Sequence, residues 1–252
     1  MKRKTKLIIL VSIILIIFST SVYGESSFSL LDSTITVGSN EEPGNYVFSL
    51  QLLLLLTILT LAPSILIMMT GFTRMLIVLA FIRNALGLQQ TPPNQVIIGI
   101  ALFLTFFIMA PIASEINTEA VQPYINSEIS QDVAIERAMT PIRNFMFKQT
   151  RDKDLGLFLN MKGIDSVSNL DEIPTHVLIP AFIISELKTA FQIGFIIFIP
   201  FLVIDMVVAS TLMAMGMMML PPVIISLPFK LLLFVMVDGW NLIAKSLVLG
   251  FN

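Results

Sequence analysis

The chain has 252 residues, of which 56% are hydrophobic and only 13% are charged. Soluble domains carry roughly 25% charged residues, so this composition excludes an ordinary water-soluble protein and indicates an integral membrane protein. The formal net charge of −2 argues against binding to nucleic acid by phosphate neutralisation. With no cysteine and a single histidine, His176, the chain has no disulfide framework, and we expect no metal and no cofactor.

The amino terminus has the pattern of a secretory signal peptide. A short apolar run at 7–18 follows four basic residues, and small and polar residues follow the run. A membrane-spanning helix needs about twenty residues, so we predict a cleaved signal peptide over 1–24, with an uncleaved signal anchor as the alternative. The basic residues are Lys2, Arg3, Lys4 and Lys6. Cleavage would place a polar tail, residues 25–45, outside the cytoplasm.

Two apolar runs with a polar turn between them predict a first helical hairpin over residues 46–113. The first run, from Leu50 to Met69, is long enough to span a bilayer, and Pro63 should bend it. The second run extends from Val96 to Ala113. The turn at 83–95 is rich in side-chain amides. It forms either a solvated cytoplasmic turn or a hydrogen-bonding belt between subunits.

Residues 114–176 carry half of the charged side chains of the whole chain. Since charge of this density requires water, the segment predicts a small helical domain, which by topology lies outside the cytoplasm. Thr140 followed by Pro141 is typical of a helix start, so we expect two short helices on either side of this position. A further helix is predicted over 152–160.

We expect the aromatic residues of this small domain to pack against residues outside the domain. About sixty residues are marginal for an independent core. Phe145 and Phe158 are therefore candidate packing residues of the extracytoplasmic domain, either against other subunits or within the same subunit.

The last segment, residues 177–252, is again apolar and predicts a second helical hairpin. It contains six charged residues, three acidic and three basic: Glu186, Lys188, Asp205, Lys230, Asp238 and Lys245. Charges at membrane depth are costly and usually face protein or water. Because the signs balance, structural pairing in a helical bundle is the favoured interpretation, and a proton or ion pathway is the alternative.

A methionine-rich stretch lies inside this second hairpin. Met217, Met218 and Met219 are consecutive, and Pro221 and Pro222 follow closely and end any helix. Successive helical side chains point about 100° apart, so three adjacent methionines cannot share one buried face. A loop is therefore predicted. Its flexible thioethers either fill gaps in a bundle or, in a ring of subunits, form a deformable seal of a wide pore.

Motifs of enzymes are missing from the sequence. It has no nucleophile elbow, no zinc-binding helix motif, no phosphate-binding loop and no dinucleotide-binding fingerprint. We therefore predict that the protein is not an enzyme. The remaining classes are a protein-conducting gate, an ion-coupled transporter of small solutes and a passive scaffold.

Several stretches of the sequence resemble those of a known protein family. They lie at 71–74, 83–95, 180–194, 201–210, 215–230 and 238–240. Together they resemble the FliP family of bacterial flagellar export-gate proteins, over about residues 45–250. The equivalent gate subunits of virulence injectisomes are the alternative, and the signal peptide with its polar tail favours the flagellar branch.

The resemblance implies an all-α membrane protein whose hairpins assemble into a helical oligomer, lying largely outside the bilayer plane. It implies a pentamer in the bacterial inner membrane at the flagellar basal body. The implied partners are FliQ, FliR, other membrane components of the export apparatus, membrane lipid and unfolded flagellar export substrates. In such a gate Met217, Met218 and Met219 would line and seal the channel. Glu186 would lie at a subunit interface with Lys188 near it.

Overall fold

The structure is a computed structural model that describes residues 28–30, 33–35, 43–164, 169–217 and 219–251. The predicted signal peptide lies outside these described residues, as does most of the predicted polar tail. Nearly all of the described chain is helical, which confirms the prediction of an all-α protein.

The chain divides into two compact units, Met1–Leu59 and Thr60–Asn252. In the first unit a short strand β1, Phe28–Leu30, pairs antiparallel with β2, Ser33–Ile35. The first part of helix α1, Pro43–Met68, belongs to the same unit. From Leu50 onward its leucines are largely exposed, so this helix has an apolar surface that requires lipid or protein around it.

The second unit contains eight further α-helices among the described residues. It also contains a π-helical turn, Asn117–Val121, and a 3₁₀ turn, Leu170–Glu172. The helices are α2 Phe72–Ala85, α3 Asn94–Ile116, α4 Gln122–Ile125, α5 Gln131–Gln149, α6 Asp152–Met161, α7 Thr175–Ala214, α8 Pro222–Met236 and α9 Gly239–Leu249.

The core of the second unit forms around α2, which packs along the first half of α7. The buried side chains of α2 recur at helical spacing, and Met75, Val78 and Ile82 are fully buried. On α7 the facing residues Leu178 and Phe182 are also fully buried. The predicted first hairpin therefore contains three helices in chain order, α1, α2 and α3, and α2 is a core element of the second unit.

The predicted break at Pro141 is wrong, because α5 runs continuously from Gln131 to Gln149. Proline removes one backbone hydrogen bond from a helix interior. Here the Pro141 ring is buried, and the next turn places Phe145 and Met146 in the core. Apolar burial therefore outweighs the lost hydrogen bond. The helix predicted over 152–160 is confirmed by α6.

Two helical stretches within the described residues are long and apolar enough to cross a membrane. They are Asn94–Ile125, of 32 residues, and Thr175–Ala214, of 40 residues. The pair α8 and α9 would count as a third span if it is one span broken by its 63° bend. At a rise of about 1.5 Å per residue α7 is about 60 Å long, twice the thickness of about 30 Å of a bilayer's hydrocarbon core.

Candidate functional site

A buried ion pair connects the two central helices of the second unit. Arg74 on α2 and Glu186 on α7 are 3% and 0% exposed. The arginine Nε donates to Glu186 Oε2 at 2.9 Å, and Nη2 donates to Oε1. Such a two-point contact fixes the orientation of both side chains. Glu186, predicted as an interface or structural charge, thus has its partner within the chain.

The Arg74 guanidinium also contacts two other parts of the unit. Nη2 donates to Gln149 Oε1 at 2.9 Å, and Nη1 donates to the carbonyl oxygen of Gly250 at 3.1 Å. The guanidinium carbon lies 3.9 Å from the centre of the Phe251 ring, a cation–π geometry. Arg74 therefore connects α2, α5, α7 and the residues that follow α9.

A second polar cluster forms around Ser185, the residue that precedes Glu186 on α7. The Ser185 hydroxyl donates to Asp154 Oδ2 at 2.8 Å and accepts the backbone N–H of Arg151 at 3.1 Å. The Arg151 side chain donates to Gln192. Because Ser185 and Asp154 are buried, these bonds satisfy polar groups that could not otherwise remain in the core. They fix α6 against α7.

A third polar cluster lies between α7 and α8. Lys230 is 2% exposed, and its Nζ donates to Asp205 Oδ2 at 2.6 Å and to the carbonyl oxygen of Ala85 at 3.1 Å. The Ser226 hydroxyl donates to Asp205 Oδ1 at 2.5 Å. Ala85 ends α2, so the ammonium group also neutralises the partial negative charge of that helix end. Both charges have partners, as structural pairing predicts.

The methionine loop, residues 215–221, connects α7 to α8. Helix α7 ends in a Schellman motif, in which the N–H groups of Gly216 and Met217 donate to the carbonyls of Met213 and Leu212 at 3.0 Å each. Gly216 has φ of +74°, a conformation that favours glycine. Met219 is 98% exposed and Met217 is 40% exposed. Met218 lies outside the described residues.

The other predicted site residues lie in different surroundings. Lys188 is exposed on α7. Phe145 is buried within the subunit, where its ring lies 6.0 Å from that of Phe182 and 5.9 Å from that of Phe251. Phe158 is half-buried and packs against the core. Sequence reasoning did not identify Arg74 as a site residue, although a lone arginine after an uncharged apolar run is a usable signal for a buried ion pair.

These clusters connect helices and place no reactive group in an open cleft. Among the residues that the structure describes, no three His, Asp or Glu side chains converge as metal ligands would. The chemistry available at the described clusters is hydrogen bonding and ion pairing. The chemistry at the loop is adaptable apolar contact.

The fold and these clusters define a helical membrane protein in which buried ion pairs join the long helix α7 to α2 and to α8, and in which the loop after α7 exposes methionines. The profile of the FliP family matches residues 55–247, over three quarters of the chain. The chain therefore belongs to the FliP family.

Relatives in distant bacteria support this assignment. The chain is 60% identical over 221 residues to "Flagellar biosynthetic protein FliP" of Bacillus subtilis (strain 168), covering 88% of this chain and 100% of that protein. The protein of the same name from Pectobacterium carotovorum subsp. carotovorum is 56% identical, over 82% of this chain and 80% of its own length. That of Aquifex aeolicus (strain VF5) is 54% identical, over 83% and 88%.

Proposed function

We propose that this protein is a subunit of the flagellar type III export gate in the bacterial inner membrane, at the flagellar basal body. Membership of the FliP family and relatives named as flagellar biosynthetic proteins support this role. The role is conduction of unfolded export substrates, with no catalytic step in this chain. A role in an injectisome is less well supported, because the relatives described above carry flagellar names.

Assembly with other subunits is supported by the length of the apolar surface on α7. Large apolar side chains are exposed from Ile184 to Met213. These thirty residues correspond to about 45 Å of helix, whereas the hydrocarbon core of a bilayer covers about 30 Å. Protein neighbours therefore cover the remainder. We propose that these neighbours are further copies of this chain, in a pentamer, together with FliQ and FliR.

We propose that the methionine loops of the subunits together close the channel. The observation that carries this proposal is the exposure of Met219, at 98%, and of Met217 at the tip of the α7–α8 hairpin. A methionine exposed to this extent fills no gap within the subunit. Since thioether side chains are unbranched and adapt to irregular shapes, a ring of them can exclude ions and still yield to a passing polypeptide.

Ion leakage and export test the proposed seal. A variant with Met217, Met218 and Met219 all changed to Ala should assemble normally and make the membrane leak ions, because alanine leaves the constriction open. The matched control is Met161→Ala, which removes a 73% exposed methionine at the end of α6. Normal impermeability in the triple variant, with normal assembly, would show that the loop is not the seal.

A further inference from the structure

We infer that Asp205, Ser226 and Lys230, here called the hairpin triad, position the methionine loop. This inference rests on the proposed function of that loop. Asp205 lies on α7 nine residues before the helix ends at Ala214, and Lys230 lies on α8 eight residues after the helix begins at Pro222. The triad thus joins the two arms of the hairpin at similar distances from the loop.

The triad also connects the hairpin to the rigid core of the subunit. Lys230 Nζ is shared between Asp205 Oδ2, at 2.6 Å, and the carbonyl oxygen of Ala85, at 3.1 Å. Ala85 is fully buried at the end of α2. One ammonium group therefore holds α7, α8 and α2 in a fixed relation. Because the strength of a hydrogen bond depends on angle as well as distance, these bonds restrict the relative positions of the three helices more than apolar contacts do.

Apolar packing between the two arms of the hairpin is incomplete within one subunit. An open apolar groove of about 520 Å³ lies beside the triad and extends toward the loop, lined by Val203, Val207 and Thr211 of α7 and by Ile225 and Phe229 of α8. Across this groove the side chains of the two arms make few dispersion contacts with each other, so apolar contact between the arms fixes their separation weakly there. Among the described hydrogen bonds, those of Asp205 with Ser226 and Lys230 join the two arms, so the triad is the polar contact that sets their separation.

A purely stabilising role makes a different prediction. Replacement of a buried ion pair by apolar residues of similar volume often leaves stability unchanged or raises it. The double variant Asp205→Leu with Lys230→Met removes both charges and keeps the volume. A stabilising role predicts normal assembly and a normal loop position for this variant, whereas a positioning role predicts normal assembly and a displaced loop.

The test measures the loop position in the full complex with its partner subunits. The chain has no native cysteine, so Met215→Cys beside the loop and Asn84→Cys near the end of α2 provide two unique sites for spin labels. Labelled subunits are diluted with unlabelled ones, so that the distances within one chain dominate. We expect one narrow distance distribution in the reference protein. In the double variant we expect the population at shifted distances to rise by about tenfold or more, because about tenfold already corresponds to the loss of one of its three hydrogen bonds.

Three comparisons decide the outcome. Lys245→Met removes an exposed lysine of α9 and should leave the distances unchanged. An assembled double variant with the narrow reference distribution would overturn the inference. If the double variant does not assemble, Ser226→Ala decides by the same measurement, since it removes a single hydrogen bond from Asp205. Shifted distances there support positioning, and unchanged distances overturn it.

Ion leakage separates this inference from the proposed seal. Leakage of the double variant should match that of the triple methionine variant if both ideas are correct. Shifted distances without leakage in either variant would leave the positioning role intact and reject the seal. Leakage of the triple methionine variant together with unshifted distances in the double variant would leave the seal intact and reject the positioning role.

Discussion

At the scale of single residues, Arg74 carries more of the tertiary structure than any other charged group described above. Its guanidinium contacts Glu186, Gln149, Gly250 and the Phe251 ring. A guanidinium is planar and presents donors in several fixed directions, whereas an ammonium group is a compact point charge. The site therefore requires the shape of arginine as well as its charge.

Arg74→Lys should lower the free energy of unfolding by about 2 kcal/mol, because the two-point contact and the ring stacking are lost while the charge remains. Glu186→Gln should cost about 3–5 kcal/mol, since it leaves the buried guanidinium without its counter-charge. Thermal unfolding of the detergent-solubilised chain measures both. The exchanged pair, Arg74→Glu with Glu186→Arg, should not restore stability, because Gln149 and Gly250 keep their positions. Full restoration would contradict this account.

At the scale of helices, the contact of α2 with α7 depends on a glycine. A Cβ atom at Gly194 would lie 2.6 Å from Cγ of Phe81 and 3.1 Å from its Cβ. The second distance involves an atom near the backbone of α2, so the phenylalanine cannot simply rotate away. The Phe81 ring in turn meets Phe191 edge to face, with centroids 5.5 Å apart. Gly194 thus sets how closely the two helices approach.

Gly194→Ala should destabilise the chain by about 1–3 kcal/mol, the usual cost of overpacking a core. The matched control is Gly99→Ala in α3, where an added Cβ has no neighbour within 4 Å. That change should stabilise the helix by about 0.5–1 kcal/mol, because alanine loses less conformational freedom on folding. The difference in unfolding temperature between the two variants measures the contact. Equal changes in unfolding temperature for the two variants would show that the close approach of α2 and α7 at Gly194 contributes nothing to stability.

The bend between α8 and α9 offers a second test at this scale. Asp238 lies in the bend with φ of +50° and ψ of +53°, in the left-handed region. Glycine adopts this conformation without the cost of a Cβ atom, so Asp238→Gly should preserve or raise the unfolding temperature. Asp238→Val should lower it, since a β-branched side chain is least compatible with positive φ. A higher unfolding temperature for valine than for glycine would contradict the assigned geometry of the bend.

At the scale of the whole molecule, the second unit exposes large apolar side chains along the candidate span that begins with α3 and along α8. On α3 the rings of Phe103, Phe106 and Phe107 are 68–78% exposed, and on α8 Val235 and Met236 are similarly exposed. Contiguous apolar surface of this kind marks contacts with lipid or with protein.

The proposed assembly predicts the mass of the complex in mild detergent. We expect a mass near five protomers of 28.0 kDa, reduced by any cleaved signal peptide, with a discrete increase when FliQ and FliR are co-expressed. Native mass spectrometry provides the measurement. A stable monomer or dimer whose mass does not change when FliQ and FliR are present would contradict the proposed export gate. The charged residues of α7 and α8 would then require testing as a transport pathway.

Sequence reasoning predicted local features better than distant ones. The helix over 152–160 follows from periodicity, and the break in helix between Ala214 and Pro222 follows from the adjacent methionines and the paired prolines. The partner of Glu186 could not be predicted, because Arg74 lies 112 residues away and only tertiary packing unites them. The error at Pro141 has the same origin, since burial of Phe145 and Met146 overrides a local preference.

The contacts of Arg74 also impose an order on the events of synthesis. Gln149 follows Arg74 by 75 residues, Glu186 by 112 and Gly250 by 176. While the ribosome makes these later segments, α2 already exists with a charge for which none of these partners is present. A lone charge in hydrocarbon is costly, so α2 remains in water or against another protein until α7 emerges. The fate of an early segment is therefore decided by segments translated much later.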